Sequence, residues 1–182
     1  VFGVALGTPL GLMSGYARGA IDETVMRGAD ILLAMPDYLL ALAVMAALGP
    51  SLANAMLAVG IAFVPKFARV VRAASLMESE RDYVAAARAL GAGHGRIVFV
   101  HVLPNCLAPL LVMATLSLGT AILYTSSLSF LGLGAQPPAP EWGAMLAEGR
   151  EASLQAPHLM LFPGGAIALA VLGINLLGDG LR

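Results

Sequence analysis

Four long stretches of this chain carry no Asp, Glu, Lys or Arg: Val1 to Ala17, Tyr38 to Pro65, Ile97 to Pro140 and Ala152 to Gly178. A helix on the surface of a soluble domain keeps a polar face in water, and these stretches are too long and too uniform to supply one. A bilayer core takes about 20 apolar residues per helix, so the tracts predict membrane spans. Composition agrees: 59% of the 182 residues are hydrophobic and 12% charged, against roughly 45–50% and about 25% in soluble domains. Mean hydropathy is +0.85.

Tyr38–Pro65 is too long for one straight span, and Gly49-Pro50-Ser51 breaks it with a turn signal. The expected spans lie near 1–17, 36–49, 52–72, 105–130 and 157–178, about five in all, giving an all-α integral membrane fold. The chain begins with Val, already in an apolar run, and reads as a fragment of a longer polypeptide. The net charge of −1 argues against a nucleic-acid surface, and the single cysteine, Cys106, excludes an intrachain disulfide or a cysteine metal cage.

Basic residues collect in short cytoplasmic loops of membrane proteins. Arg18 and Arg27 lie in one loop; Lys66, Arg69, Arg72, Arg81, Arg88 and Arg96 lie in 66–103. The loop 131–156 has only Arg150, and Arg182 follows the last span. The span count puts the basic segments on one side, so the middle of the chain is expected in the cytoplasm and 131–156 outside. Lys66, Arg69 and Arg72 at a helix end can snorkel to the headgroups. Residues 21–33 form an amphipathic segment with Glu23 and Arg27 at i,i+4. It is either an interfacial helix before Pro36 or part of one long helix kinked there; the sequence leaves both open.

The cytoplasmic segment contains DYVAAARALGAGHGRIVFVHVLPN (82–105). Ser79-Glu80-Arg81-Asp82 resembles a capping box, with acids suited to a first turn, and Gly91 is placed to stop the helix. A ten-residue helix is marginal alone and must pack on something. Tyr83, Ala86, Ala87 and Leu90 follow helical spacing and form a shallow stripe open to a partner, with Arg81, Asp82 and Arg88 elsewhere. A second helix, His94–Leu103, is expected after the glycines, with Pro104 marking the boundary before the next span. Such a loop either lies on the headgroups or docks a partner.

This segment resembles the cytoplasmic EAA loop of binding-protein-dependent ABC importer permeases, written E-A-A, three residues, Gly, nine residues, I-x-L-P. Ala86-Ala87, Gly91 and Leu103-Pro104 stand at the matching positions. Ala85 replaces the acid and His101 the isoleucine, while Asp82 lies three residues before Ala85. The peptide and nickel branch is the nearest likeness. Residues 128–146 (LSFLGLGAQPPAPEWGAML), 26–36, 48–58 and 175–182 (NLLGDGLR) also resemble its C-subunit type. The resemblance implies six spans in a full chain, the first of them absent here, in the plasma membrane of a bacterium or archaeon.

It further implies that the residues around the loop, Arg81, Asp82, Tyr83, Ala86, Ala87, Arg88, Leu90, Gly91, Leu103 and Pro104, couple the spans to two cytoplasmic ABC ATPase subunits. A second homologous permease subunit, an extracytoplasmic substrate-binding protein and membrane lipid would complete the partners. Cargo would be dipeptides, oligopeptides or nickel complexes. Residues 1–182 would be one transmembrane domain, with 79–104 the coupling loop and 131–156 the outward loop.

The chain has no G-x-x-x-x-G-K-[ST] run and so no nucleotide cradle of its own. His94, His101 and His158 lack metal spacing, Ser126-Ser127 has no base beside it, and no catalytic residue, metal site or cofactor is expected. Polar residues within spans are either interhelical hydrogen-bond glue or, at Thr115, Thr120, Tyr124 and Ser127, a translocation path. Trp142 either anchors at the interface or belongs to a docking loop, and Glu141, Glu148 and Glu151 face outward. A secondary transporter or another multi-span protein is the rival class; it would want ionisable groups near mid-bilayer, and the spans show none there.

Overall fold

The computed structural model describes residues 1–180; Arg182, expected on the cytoplasmic side, and the end of the 175–182 motif lie outside the described residues. All regular structure among them is helical. In chain order the helices are α1 (Phe2–Ala17), α2 (Gly19–Leu33), α3 (Asp37–Leu48), α4 (Leu52–Ser79), α5 (Asp82–Ala89), α6 (His94–Phe130), α7 (Trp142–Gly149) and α8 (His158–Gly180).

Among the described residues α4, α6 and α8 are long and apolar enough to cross a membrane, and α2 with α3 counts as a fourth span if taken as one broken element. The stretch expected to span at 36–49 is α3, whose 12 residues extend about 18 Å, short of a core of about 30 Å. The choice left open at Pro36 is resolved: α2 ends at Leu33, Pro36 is extended (φ −55°, ψ 133°) and α3 begins after it.

The chain forms two compact units. One comprises Val1–Met35 and Phe63–Met113. Its core is a seam between α1 and α4. Gly7, Gly11 and Gly15 recur every fourth residue and bring the two backbones together: a Cβ at Gly11 would lie 2.4 Å from the Ala68 carbonyl oxygen, and one at Gly7 2.5 Å from Phe67 Cβ. Such small-residue spacing is how spans approach closely when lipid offers no hydrophobic drive. Beside the seam Arg72 grips Asp22 through Nε and Nη2 (2.5 and 2.6 Å), and Ser14 donates to the same carboxylate. Arg69 pairs with Asp30. Arg69 and Arg72 of α4 thus hold α2 rather than only reaching for headgroups.

The other unit comprises Pro36–Ala62 and the described residues from Ala114 onward. The Gly49-Pro50-Ser51 break is built as expected: Ser51 Oγ accepts from the Asn54 amide, and Asn54 Nδ2 donates to the Leu48 and Gly49 carbonyls. Gly119 packs against Asn175 and Gly178 against Thr115, seating α8 on α6. Much of the rest of α8 is bare, Phe162 at 76% and Leu169 at 71% exposure. An apolar surface of this kind needs lipid or protein over it.

Two expected boundaries are corrected. Ser79 does not cap α5; its hydroxyl bonds back to the Ser75 carbonyl inside α4 (2.6 Å), and Arg81 holds the cap position without a side-chain bond. Pro104 does not end a helix. α6 runs unbroken for 37 residues, because Ile97–Val102 is wound as a π-helix. The proline ring would crowd the carbonyl four residues before it and offers no N–H, and the extra residue in the preceding turn relieves that conflict.

Candidate functional site

The segment with the most chemistry outside the long apolar helices is the short helix α5 and the helix ends around it. Its end is built as the sequence requires. Gly91 takes φ +83°, its N–H reaches the Arg88 carbonyl and the Ala92 N–H the Ala87 carbonyl, both at 3.0 Å. This Schellman pairing needs the left-handed conformation at Gly91.

The faces of α5 are turned partly as expected. Val84 is fully buried and fixes the inner face. Asp82, Ala85, Ala86 and Ala89, at i, i+3, i+4 and i+7, form the open face, joined by Leu90 at 89% exposure. Of the expected stripe, Ala86, Leu90 and, at the flank, Tyr83 (40% exposed) are open, and Ala87 is half-buried. Ala85, which stands where the related loop has an acid, is in the middle of the open face, with Asp82 one turn before it.

The charged residues split. Arg88 sits over the Tyr16 ring at 5.8 Å, a cation–π contact, and the Tyr16 hydroxyl meets His94 Nδ1 at 2.8 Å. Arg18 pairs with Glu80 at 2.8 Å. Arg81 lies 3.8 Å from Glu78, while Asp82 is exposed. The Tyr83 hydroxyl donates to Glu78 Oε2 at 2.5 Å and accepts from Asn105 Nδ2 at 3.2 Å. Burial, and then the hydrogen bond to Glu78, push this phenol up to about 12. His101, in place of the motif's isoleucine, lies in the π-turn with its ring 6.2 Å from that of Tyr83. Leu103 is half-buried and Pro104 exposed.

The residues expected along a translocation path are only partly brought together. Thr120, Tyr124 and Ser127 share a side of α6, and Tyr124 meets Tyr38 edge-on at 5.4 Å. Thr115 faces Gly178 of α8, a helix–helix contact. In the loop beyond α6, Glu141 does not stand free. Its Oε1 accepts from Ser126 at 3.2 Å and its Oε2 caps α7 through the Ala144 amide at 2.9 Å. Gly143 lets α7 approach the Ser126 carbonyl, where a Cβ would sit 2.0 Å away. Trp142 is 41% exposed and lines a shallow hollow with Pro140, Glu141 and Met145. No group of three or more His, Cys, Asp or Glu suited to a metal occurs among the described residues.

Sequence reasoning missed several of these residues. The α1 seam was legible as glycine at every fourth position. Glu78 and Asn105 flank the motif on either side, and no local spacing announces that Tyr83 joins them.

Residues 7–182 match the family described as the binding-protein-dependent transport system inner membrane component. The chain belongs to this family. Among curated relatives of this permease family, it is 53% identical over 97% of its length to the dipeptide transport system permease protein DppC of Alkalihalophilus pseudofirmus, covering 58% of that protein. It is 51% identical over 97% of its length to the di/tripeptide permease protein DppC of Pseudomonas aeruginosa, again 58% of the relative. The glutathione transport system permease protein GsiD of Pectobacterium atrosepticum is 48% identical over 99% of the chain and 60% of the relative. The chain thus spans about three-fifths of the length of these relatives. Its fold matches the MetNI methionine ABC transporter in an inward-facing conformation, with TM-score 0.78 at 23% identity, over 99% of this chain and 86% of that one. The permease family is one of inner membrane components, and the apolar helices α4, α6 and α8 place the chain among multi-pass membrane proteins.

Proposed function

We propose that this chain is the greater part of the transmembrane permease subunit of an ATP-driven importer, with 79–104 a cytoplasmic loop that receives the motion of two separate ABC ATPase subunits. The observation that carries the reading is the open face of α5. Asp82, Ala85, Ala86, Ala89 and Leu90 are presented outward, while Val84 is buried and Tyr83 and Arg88, themselves exposed at the flanks, bond to Glu78 and Tyr16 of the same unit. A surface made of alanines with one projecting leucine lets a partner come close, and burying the exposed Leu90 would remove apolar area from water. Asp82 and Arg81 at its rim would steer docking more than stabilise it.

Hydrolysis belongs to the partners, since this sequence has no phosphate-binding lysine loop. Movement of α5 would pass to α4 and α6, the helices on either side of it in the chain, and so into the bilayer. A second permease subunit would complete the path, with Thr120, Tyr124 and Ser127 as lining. The loop 131–156 would face outward, toward a substrate-binding protein. The relatives named for dipeptides, di/tripeptides and glutathione make short peptides the cargo supported best.

The test is assembly of the full-length protein with its partner subunits in proteoliposomes. Ala86→Glu should remove ATPase co-purification and ATP-dependent uptake of a labelled dipeptide presented by the binding protein. Retention of both would sink the coupling role of α5, and uptake of no short peptide by the wild type would sink the cargo.

A further inference from the structure

α5 is a short helix with a bend at each end. Before it, Arg81 is extended (φ −69°, ψ 146°). After it come Gly91 in the left-handed region and the extended Gly93. Eight residues between two such bends would swing unless something directional held them, because the buried Val84 contact has no preferred orientation.

Besides the Arg88 contact with Tyr16 and the Arg81 N–H bond to the Glu78 carbonyl, the side-chain hydrogen bonds of α5 converge on one hydroxyl. Tyr83 is the second residue of α5. Its O–H donates to Glu78 in the last turn of α4 and accepts from Asn105 in α6. Asn105 Nδ2 also donates to the His101 carbonyl at 2.7 Å, which belongs to the π-turn that Pro104 imposes. The Tyr83 oxygen lies 3.4 Å from that carbonyl, and its ring lies beside the His101 ring. Glu78 divides its two oxygens between Tyr83 and Arg81. One phenol therefore ties α5 to the helix before it and the helix after it.

We propose that Tyr83 is a positioning residue that locks α5 to both α4 and α6, so that a push on α5 reaches two spans together instead of being absorbed at the bends. The inference rests on the coupling role proposed above, and it moves Tyr83 from the partner-facing surface to the transmission side of the helix. Tyr83→Phe keeps the ring, the Val84 contact and the open face, and removes only the shared hydroxyl.

The experiment uses the full-length permease assembled with its partner subunits in proteoliposomes, scored for ATPase recruitment, ATP hydrolysis and dipeptide import in the same preparation. Tyr83→Phe should recruit ATPase subunits within about twofold of wild type and still hydrolyse ATP, while import falls roughly fivefold or more, since losing a hydrogen bond of ordinary strength shifts a two-state balance by about that factor. The ATP spent for each molecule imported rises accordingly. Glu78→Gln retains an oxygen that accepts from Tyr83 and should keep the wild-type ratio; Glu78→Leu should reproduce Tyr83→Phe. An unchanged ratio in Tyr83→Phe and Glu78→Leu would overturn the proposal. So would loss of recruitment in Tyr83→Phe, which would make the hydroxyl a docking contact. Failure of the wild-type protein itself to recruit ATPase subunits would instead remove the coupling role on which the inference stands.

Discussion

Gly11→Ala tests how α1 and α4 are joined. The added Cβ would lie 2.4 Å from the Ala68 carbonyl oxygen, 2.8 Å from Val71 Cβ and 2.9 Å from the Arg72 amide nitrogen. Two of these neighbours are backbone atoms of a long helix and cannot rotate away, so the helices must part by most of an ångström. Overpacking of this kind costs about 1–3 kcal/mol, offset by up to about 1 kcal/mol from replacing a helical glycine. Parting the helices also strains the Arg72–Asp22 grip one turn further along. Gly28→Ala is the matched control: it too lies inside a helix, and nothing stands within 4 Å of its Cβ. The assay is reversible unfolding of the full-length permease in mixed micelles. Gly11→Ala should lower stability by about 1–2 kcal/mol and Gly28→Ala should leave it equal or raise it. Equal stability of the two variants would refute the close approach at Gly11.

Other outcomes follow from the same contacts. Arg72→Ala leaves Asp22, 17% exposed as a side chain, without its bidentate partner and should cost about 1–3 kcal/mol; Arg72→Ala with Asp22→Asn should recover part of that loss in a double-mutant cycle of unfolding. Tyr83 should ionise near 12 rather than at its ordinary 10: the folded loop favours the neutral phenol, so its contribution is complete below pH 10 and is lost as pH rises through 12. The tyrosinate absorbance that Tyr83→Phe removes should appear in that window; its appearance near pH 10 would contradict the hydrogen bond to Glu78. Glu141→Ala removes the cap of α7 and should cost about 0.5–2 kcal/mol, read from the melting temperature, without affecting ATPase recruitment.

What the sequence announced and what it concealed separate along physical lines. Uncharged tracts became the long helices because no charge on them had to reach water. Gly91 became the stop of α5 because a left-handed residue is a local requirement visible at one position. Long-range effects stayed hidden. The stripe Tyr83-Ala86-Ala87-Leu90 was sound as periodicity, yet Val84 decides which face is buried, and that depends on which helices surround it. Ser79 had capping chemistry but lies within the last turn of α4, where its own backbone offers a nearer acceptor. Pro104 was a plausible boundary until a π-turn accommodated it. Thr115 shares composition with Thr120 and Ser127 but points to Gly178.

The most direct measurement of the central claim is protection of α5 by the ATPase. In a Cys106→Ser background, single cysteines replace Ala85, Ala86 or Ala89 on the open face, with Gly28→Cys as a reference outside the loop. Maleimide labelling is followed in membranes with and without the partner ATPase subunits. The coupling role predicts that the three α5 cysteines label readily in the permease alone and are shielded once the ATPase subunits assemble, while position 28 is unaffected. Equal labelling of Ala85→Cys, Ala86→Cys and Ala89→Cys in both states would contradict it.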